Sequence, residues 1–203
     1  MGKGLLLVVS GPSGVGKGTV CKALQNRNPS VHFSVSATTR VRRNDEIEGV
    51  NYFFKTRDEF ERMITHGEFL EYTLLFNTNY YGTPRAYIED EVSSGHDVLL
   101  EIDYHGASKI KEAYPQAVLV FVAPPMWGDL QNRIVNNYNS SLDSLSMRFA
   151  AAKDEISNAY RFDYVVTNDV VEKAVTSIEA IVNAEKCKVS NNIEYIEQLY
   201  CGK

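Results

Sequence analysis

Apolar residues along this chain fall into short runs that alternate with segments of helical spacing. The runs lie at residues 5–9, 98–102, 117–122 and 164–166. Runs of this length are typical of buried strands, and the helical segments between them supply the crossovers that parallel strands need. The pattern therefore predicts an α/β fold built around a parallel sheet.

The helical segments carry apolar stripes, each on one face. In chain order the stripes are Val20 and Leu24; Ile110 and Ala113; and Val171, Val175, Ile178 and Val182. Pro29 and Pro115 are expected to end the first two helices, because proline cannot continue a helix. We interpret all three stripes as faces that pack on the core and not as cofactor-binding surfaces.

Residues 34–83 follow a different pattern, which predicts a strand-rich insertion that carries much of the polar chemistry. Inside it, Thr56 and Glu59 have the spacing of a capping box, so a helix is expected to begin there and to end near Gly67. A further helix is predicted over residues 83–95. Its apolar positions are Ile88 and Val92.

The end of the chain shows one more helical stripe. Beyond residue 186 the apolar residues are Ile193, Ile196, Leu199 and Tyr200. Their spacing predicts a helix that docks on the core or on a second subunit, and we favour the core. Whether the protein is a monomer or a homodimer stays open at this stage.

Composition and charge narrow the class of protein. The 203 residues, 44% of them hydrophobic, suffice for one compact, subdivided unit but not for two full domains. The net charge of −5 argues against a partner that is a nucleic acid or an anionic membrane, since phosphate groups attract clustered Lys and Arg. We therefore expect neither nucleic acid nor membrane as a partner, and basic residues only at local sites.

The cysteines and the lengths of the apolar runs indicate where in the cell the protein is located. Cys21, Cys187 and Cys201 are odd in number and widely spaced, which favours neither a zinc site nor a disulfide framework. No apolar run approaches the length of a membrane span, and no signal peptide is evident. These features predict a cytoplasmic protein.

One glycine-rich motif directly follows the first predicted strand. It consists of Gly11, Pro12, Ser13, Gly14, Val15, Gly16, Lys17, Gly18 and Thr19. A strand, a loop with three glycines and a helix N-terminus together bind phosphate, and Lys17 adds a charge for the terminal phosphates of a nucleoside triphosphate. Because Gly18 stands where Ser or Thr is usual, Thr19 is the hydroxyl we expect to hold magnesium. A chance glycine turn is the alternative.

Two further clusters lie in the insertion. Arg40 and Arg43 stand three residues apart in a hydroxyl-rich stretch, so their guanidinium groups suit a second phosphate. A solvated basic loop explains them equally well. The segment Asn-Tyr-Tyr-Gly-Thr at 79–83 adds two phenols, which either bind a ligand or pack in the core.

With these motifs together, residues 4–186 resemble the guanylate kinases, which transfer a phosphoryl group from ATP to GMP. The resemblance rests on Gly-Pro-Ser-Gly-Val-Gly-Lys at 11–17, Ser-Ala-Thr-Thr-Arg at 36–40, Gly-Val-Asn-Tyr-Phe-Phe at 49–54, Glu-Phe-Leu-Glu-Tyr at 68–72, Asn-Tyr-Tyr-Gly-Thr at 79–83, Leu-Glu-Ile-Asp at 100–103, Gly-Ala at 106–107, Ala-Pro-Pro at 123–125, and Asp-Tyr-Val-Val-Thr-Asn-Asp at 163–169. Jointly and in this order the motifs are highly specific.

The resemblance implies a set of residues that bind GMP. Those around the phosphate would be Arg40, Arg43, Tyr52 and Tyr81, and those around the guanine Ser36, Glu71, Thr83 and Asp103. Guanine presents an N1–H and a 2-amino group, which carboxylates can accept and which adenine lacks. From the residues alone, Glu71 is as well explained by a surface position and Asp103 by a helix cap.

The resemblance also implies that the chain is divided into regions with different functions. A phosphate-loop core of about five parallel strands would comprise residues 1–35, 86–125 and 158–186. A GMP-binding lobe would span 36–85, a lid 126–157 and a helical tail 187–203. Lys17, the loop amides and Mg²⁺ would hold ATP, Asn168 would lie near the adenine, and positioning would be the main catalytic task.

The departures from the family pattern lie mainly in the lid. The family usually has an Arg, then Arg-Gly-Thr four residues on, then another Arg; here the residues are Arg133, Asn137-Tyr-Asn and Arg148. The missing arginine at Asn137 keeps a second function open, a non-catalytic module that binds a nucleotide or a phosphopeptide. Arg161 or Lys153 is a candidate substitute. A kinase for dGMP or a modified guanine is a third possibility.

Overall fold

The computed structural model describes residues 3–75, 78–137 and 142–202, except for the side chains at 137, 142 and 143. Its centre is a sheet of five strands in which every pairing is parallel. In sheet order the strands are β2 (Val31–Phe33), β7 (Asp97–Glu101), β1 (Leu6–Ser10), β8 (Val118–Ala123) and β9 (Tyr164–Thr167). The predicted α/β fold with about five parallel strands is confirmed.

Helices cover both faces of this sheet. They are α1 (Lys17–Arg27), α3 (Arg85–Ser93), α4 (Tyr104–Ala113) and α7 (Val171–Lys186). Alternate residues of β1 face opposite sides: Leu7 and Val9 pack with α1 and α7, whereas Leu6 and Val8 pack with α3 and α4. The central strand is therefore buried on both faces, which explains its continuous apolar run.

The predicted helical stripes are mostly confirmed. The α7 stripe faces the core as expected, with Val175 and Ile178 fully buried. The pairing of Ile110 with Ala113 is wrong, because Ala113 ends α4 and is exposed. Gly106 and Ala107 form the buried face of that helix with Ile110, since small residues let the helix approach the sheet closely.

The insertion folds as a second sheet of four strands. In sheet order they are β4 (Phe53–Phe54), β3 (Ala37–Thr38), β6 (Asn79–Pro84) and β5 (Phe69–Leu75), with helix α2 (Arg57–Thr65) on one side. The capping box is confirmed: the Thr56 hydroxyl accepts from the Glu59 N–H, and the Glu59 carboxylate accepts from the Thr56 N–H. Phe60 of α2 stacks on Phe69, which fixes the helix on the sheet.

Two helices occupy the segment predicted as a lid. They are α5 (Trp127–Asn137) and α6 (Leu142–Ser157), followed by a 3₁₀ turn at Ala159–Arg161. Leu130 and Ile134 of α5 and Ala152 of α6 are fully buried and join the core cluster next to α1. The segment therefore packs on the core here, while the division of the chain into core, lobe and lid stays a prediction.

The tail forms a helix, as predicted, but does not dock on the core. A 3₁₀ turn at Val189–Asn191 leads into α8 (Ile193–Cys201), which has no buried residue. Ile196 is 43% exposed and Tyr200 90% exposed. Periodicity identified the apolar face of α8, but nothing in it specifies what that face contacts. Among the described residues, no helix combines the length and apolar character needed to cross a bilayer.

Candidate functional site

The glycine-rich loop lies between the carboxyl end of β1 and the start of α1. Its three glycines, Gly11, Gly14 and Gly16, have φ angles of 147°, 82° and 94°, which allows the loop to curl where other residues would be strained. Lys17 begins α1, and its ammonium group donates to the Gly11 carbonyl at 2.6 Å. The loop therefore has the shape of an anion-binding nest, with its lysine folded over it.

Two side chains brace the loop from behind. The Asn168 amide donates to the Val15 carbonyl at 2.8 Å, and the Arg133 guanidinium donates to the same carbonyl at 3.1 Å and to the Asn168 carbonyl at 3.1 Å. The C=O and N–H of one trans peptide point in opposite directions, so these bonds aim the Gly16 N–H into the loop. Asn168, only 4% exposed, thus supports the loop; its predicted place near the adenine stays a prediction.

Glu101 lies beside the loop, at the carboxyl end of β7. A Cβ on Gly18 would lie 3.5 Å from each of its two carboxylate oxygens, so Gly18 faces Glu101. Burial raises the pKa of Glu101, and the charge of Lys17 opposes that rise. Thr19, the predicted magnesium ligand, is exposed on α1. Sequence reasoning missed Glu101, although an acidic residue ending a buried strand next to the phosphate-loop strand was a usable sign.

A second carboxylate approaches the loop from α6. Glu155 accepts a hydrogen bond from the Ser13 N–H at 3.0 Å. Burial raises its pKa, while Lys17 and the bond from Ser13 lower it. The carboxylate thus contacts a loop amide of the kind that binds phosphate. Sequence reasoning missed Glu155, because 142 residues separate it from Ser13.

The same helix contacts the core next to the loop. Asp154 accepts from the Tyr104 hydroxyl at 2.8 Å, and burial together with this bond raises the pKa of Tyr104 to about 12. Arg148 lies two helical turns before Glu155, on the same face of α6. The predicted lid arginine is therefore on the helix face that reaches the phosphate loop.

A basic and aromatic cluster forms in the second sheet. The Arg40 guanidinium lies 5.4 Å from the centre of the Tyr52 ring and is hydrogen-bonded to Glu46 at 2.6 Å. Tyr52 and Tyr81 meet edge to face, with ring centres 6.0 Å apart. The structure therefore brings together three of the four residues predicted to bind the GMP phosphate.

Glu46, which sequence reasoning missed, organises this cluster. Its second oxygen accepts from the Arg43 N–H at 2.9 Å, so one carboxylate holds both arginine positions. The hydrogen bond from Arg40, followed by that from Arg43, lowers the pKa of Glu46. The Arg43 side chain is exposed, as expected for the solvated-loop alternative, and its predicted contact with phosphate is not tested by this geometry.

Next to the cluster lies a buried carboxylate. Tyr81 and Thr83 share one face of β6 by strand alternation, and the Thr83 hydroxyl donates to Glu71 of β5 at 2.7 Å. Glu71 is 7% exposed, so its interpretation as a surface residue is wrong. Burial raises its pKa to about 7, against the bond from Thr83, and the charge of Asp103 adds to the rise.

Asp103 has two roles in this geometry. Its carboxylate caps α4 by accepting from the Gly106 N–H at 2.8 Å, so the helix-cap interpretation is confirmed. Its charge also raises the pKa of both Glu71 and Glu155. Asp103 is therefore close to a carboxylate of the second sheet and to one that contacts the phosphate loop, so the two regions are near each other. Ser36, which we predicted beside it, is half-buried and accepts from the Phe53 N–H through its carbonyl.

The remaining lid predictions have mixed outcomes. The side chain of Asn137 and residues 138 and 139 lie outside the described part of the structure. Lys153 stands 5.4 Å from the Trp127 ring centre, and Arg161 stands 5.7 Å from that of Tyr160. No contact ties either cation to the described part of the loop, so their role as substitutes stays a prediction.

Known proteins match this chain along nearly its whole length. A family model described as guanylate kinase matches residues 3–185. A guanylate kinase from Shouchella clausii (strain KSM-K16) is 49% identical over 197 residues, covering 97% of this chain and 96% of that protein. One from Clostridioides difficile (strain 630) is 49% identical over 188 residues, covering 93% and 91%.

A solved structure agrees with the sequence matches. The crystal structure of guanylate kinase from Anaplasma phagocytophilum aligns with a TM-score of 0.79 at 34% identity, covering 97% of this chain and 95% of that one. The phosphate loop and the pocket of the buried carboxylate agree with these matches, which extend over nearly the whole chain. The chain belongs to the guanylate kinase family.

Proposed function

We propose that this protein transfers the terminal phosphoryl group of ATP to GMP, giving ADP and GDP. The observation that carries the proposal is that an intact phosphate loop adjoins the pocket of Glu71, within a family match over residues 3–185. dGMP fits the same assignment. The non-catalytic alternative gains no support, because the loop and its lysine are complete.

On the donor side, the loop amides bind the phosphates of ATP. Lys17 leaves the Gly11 carbonyl and turns to the terminal phosphates, which its flexible stem permits. Glu155 gives up the Ser13 N–H to phosphate, because an anion in the loop and a carboxylate on the same amide repel each other. Arg133 acts through the loop by holding the Val15 carbonyl.

Magnesium fits the loop through Glu101. Mg²⁺ prefers oxygen ligands and usually keeps several waters when it is bound by one or two carboxylates and substrate phosphates. Glu101 offers a half-buried carboxylate beside Gly18, whereas Thr19 is exposed one residue further on. Glu101, with Thr19 as the second candidate, would hold the ion, which would neutralise charge on the ATP phosphates.

On the acceptor side, Arg40, Arg43, Tyr52 and Tyr81 bind the phosphate of GMP. The guanidinium of Arg40 is held between Glu46 and the Tyr52 ring, which limits the conformations it must give up on binding. Arg43 is exposed and closes over the phosphate from the solvent side. The phenol groups of Tyr52 and Tyr81, whose rings are in contact beside Arg40, add hydrogen bonds to the phosphate.

The guanine is recognised by acceptors that adenine cannot satisfy. Ionised Glu71 accepts the N1–H or the 2-amino group, with Thr83 already bonded to one of its oxygens and Asp103 nearby, and we assign Ser36 to the same base. A base that lacks these donors would leave the carboxylate buried and unpaired. Sites of this kind reject such analogues by about four to five orders of magnitude.

The reaction itself needs alignment more than covalent chemistry. Phosphoryl transfer passes through a transition state whose charge lies on the transferred oxygens, so positioned cations and exclusion of water supply most of the rate. Lys17, Arg40 and Arg43 provide positive charge from the two sides. Arg148, on the face of α6 that reaches the loop, is the cation we assign to the lid.

A coupled assay tests the proposal. ATP and Mg²⁺ are supplied with GMP, dGMP, AMP or UMP, and ADP formation is followed. We expect turnover with GMP and dGMP and at least about a thousandfold lower kcat/KM with AMP. Tight GMP binding with no ADP formed at any enzyme concentration would leave the protein a binding module. AMP turnover equal to that of GMP would remove Glu71 and Asp103 from the base pocket.

We also propose a compartment and a set of partners for the enzyme. The three cysteines are free, which fits the cytoplasm, where thiols stay reduced. ATP and GMP are the partners, and a monomer or homodimer stays a prediction.

A further inference from the structure

Two of the four histidines of this chain meet one carboxylate, away from the nucleotide site. The Nδ1 atoms of His32 and His96 each lie 2.7 Å from the same oxygen of Glu91. The two imidazole rings are 4.5 Å apart between centres. One ligand atom from each residue lies within 4.8 Å of the other two, so the three groups face a common point.

Sheet register explains why the two histidines meet. His32 pairs with Val98 across β2 and β7, and His96 stands two residues before Val98. His32 and Val98 therefore share one face of the sheet, and His96 lies at the start of the same strand, one residue before β7. Val98 packs with Ile88 of α3 on that face, which brings the helix that carries Glu91 against both histidines.

A turn at the end of α3 fixes the second half of the cluster. The His96 N–H donates to the Glu91 carbonyl, and the Gly95 N–H donates to the Val92 carbonyl. This pair of bonds is a Schellman motif, and it requires the left-handed conformation that Gly95 adopts at φ 89°. The backbone thus holds Glu91 and His96 together independently of their side chains. A ligand set that is built by the backbone needs little ordering when it binds an ion.

We infer that His32, Glu91 and His96 bind a divalent transition-metal ion, with zinc as the best fit. Two imidazoles and one carboxylate are a set of three protein ligands that zinc takes, with a water in the fourth position. One carboxylate oxygen of Glu91 already lies 2.7 Å from both Nδ1 atoms, so it faces the same point as the two rings. Each neutral imidazole moves its ring proton from Nδ1 to Nε2 when Nδ1 binds the ion, so no proton is lost and no other group is needed.

Two of the three spacings between ligand atoms require only a small adjustment. Around tetrahedral zinc, ligand atoms with bonds of about 2.0–2.1 Å lie about 3.3 Å apart, so the two hydrogen-bonded contacts of 2.7 Å must open by about half an ångström. The side chains of His96 and His32 are 49% and 33% exposed, which gives them room to move and gives the ion a path from solvent.

This site is separate from the proposed magnesium site. His96 precedes β7 and Glu101 ends it, so about 16 Å of strand separates the two positions. The ligand chemistry differs as well, because Mg²⁺ prefers oxygen ligands while imidazole selects zinc and its neighbours. A bound ion would join the edge strand β2 to α3, so its effect is on stability and not on the phosphoryl transfer step.

A zinc titration tests the inference. Tag-free, nucleotide-free protein with Cys187→Ser and Cys201→Ser is titrated against a chromophoric chelator, because these exposed thiols would bind zinc themselves. We expect one ion per chain at micromolar or tighter affinity. His32→Ala and Glu91→Gln should each weaken binding at least tenfold. His66→Ala, which removes an exposed histidine bonded only to its own helix, should leave it unchanged.

Thermal unfolding gives a second readout. Zinc at a hundredfold excess over its Kd should raise Tm by about 5 °C or more in the double-serine protein, and Mg²⁺ at the same concentration should not. Glu91→Gln should abolish the zinc shift. Binding weaker than about 100 μM, or the same affinity in the His32→Ala variant, would overturn the inference. If His32→Ala does not fold, His96→Gln at the more exposed ligand decides the question by the same two measurements.

Discussion

The two regions that we propose bind phosphate in this enzyme are built in different ways. The donor loop is made of backbone amides, and buried Asn168 and half-buried Arg133 hold it from behind. The acceptor cluster is made of side chains on short strands and an exposed segment, and Glu46 holds Arg40 and Arg43 together. If these assignments hold, the donor site is formed before ATP arrives, whereas the acceptor site depends on charged side chains that the ligand must finish ordering.

A shared feature makes this difference testable. A carboxylate contacts the anion-binding groups on each side, Glu155 at the loop and Glu46 at the arginines. At the loop the carboxylate occupies an amide that stays in place without it. At the cluster it organises Arg40 and Arg43, which we propose bind the phosphate. The same chemical group is thus a competitor in one region and a support in the other.

Removing the loop lysine should have the largest effect. Lys17→Ala should lower kcat by about a thousandfold or more, because it removes positive charge where the transferred phosphoryl develops negative charge. The affinity for GMP should change less than about threefold, since Lys17 is hydrogen-bonded to loop carbonyls and belongs to the donor side. Steady-state kinetic assays measure kcat, and calorimetry measures the affinity for GMP.

The control for that variant is Lys22→Ala on the exposed part of the same helix, which should leave both quantities unchanged. An equal loss of GMP affinity and activity in Lys17→Ala would mean that the two regions act as one site and are not built separately.

The guanine pocket should show the next largest effect. Glu71→Gln should weaken GMP binding by about 10- to 100-fold, because a hydrogen bond to a charged group contributes about 1.5–3 kcal/mol. ATP binding should be nearly unchanged, since the acceptor pocket is a separate set of side chains. Glu68→Gln, an exposed residue just before β5, is the matched control. Equal losses for both nucleotides would place Glu71 outside the base pocket.

Local sequence patterns predicted the donor region well. A buried run, a glycine loop and a capped or stopped helix are each specified by neighbouring residues, so β1, the loop and α1 were found where expected. The capping box of Thr56 and Glu59 and the stripe of α7 were found for the same reason. These features need only short-range geometry.

Contacts between distant residues were not predictable in this way. Glu155 reaches Ser13 only because α6 packs on the core, and Glu101 faces Gly18 only because β7 pairs with β1. The tail shows the same limit: the apolar face of α8 was identified, but its expected docking on the core was wrong. The hydrophobic pattern identifies the apolar face of a helix or strand, whereas tertiary packing determines which residues that face contacts.

The raised pKa of Glu71 predicts a smaller effect, in the dependence of GMP binding on pH. With a pKa of about 7, the carboxylate is mostly protonated at pH 6 and mostly ionised at pH 8. Since only the ionised form accepts both guanine donors, GMP affinity should rise about tenfold between these values. Glu71→Gln should remove that part of the rise and leave the part due to the GMP phosphate. An identical profile in both proteins would contradict the assignment.

The smallest expected effects are those of neutralising Glu155 and Glu46, and they should have opposite signs. Glu155→Gln should raise ATP affinity by about two- to fivefold, because it removes a negative charge next to the bound phosphates while the amide can still accept from Ser13. Glu46→Gln should lower GMP affinity by a similar factor, because Arg40 and Arg43 lose the charge that holds them together. Calorimetry with each nucleotide measures both changes, and Glu112→Gln, exposed on α4, is the control.

The opposite signs of these two changes distinguish a preformed site from one that its side chains must assemble. Backbone amides remain where the fold puts them when a competing carboxylate is neutralised, so the loop gains affinity. The Arg40 guanidinium and the backbone N–H of Arg43 lose their common charged partner, so this segment gains conformational freedom, which GMP must then remove on binding. A loss of ATP affinity in Glu155→Gln would instead make Glu155 a support of the loop, and the two regions would then be built on the same principle.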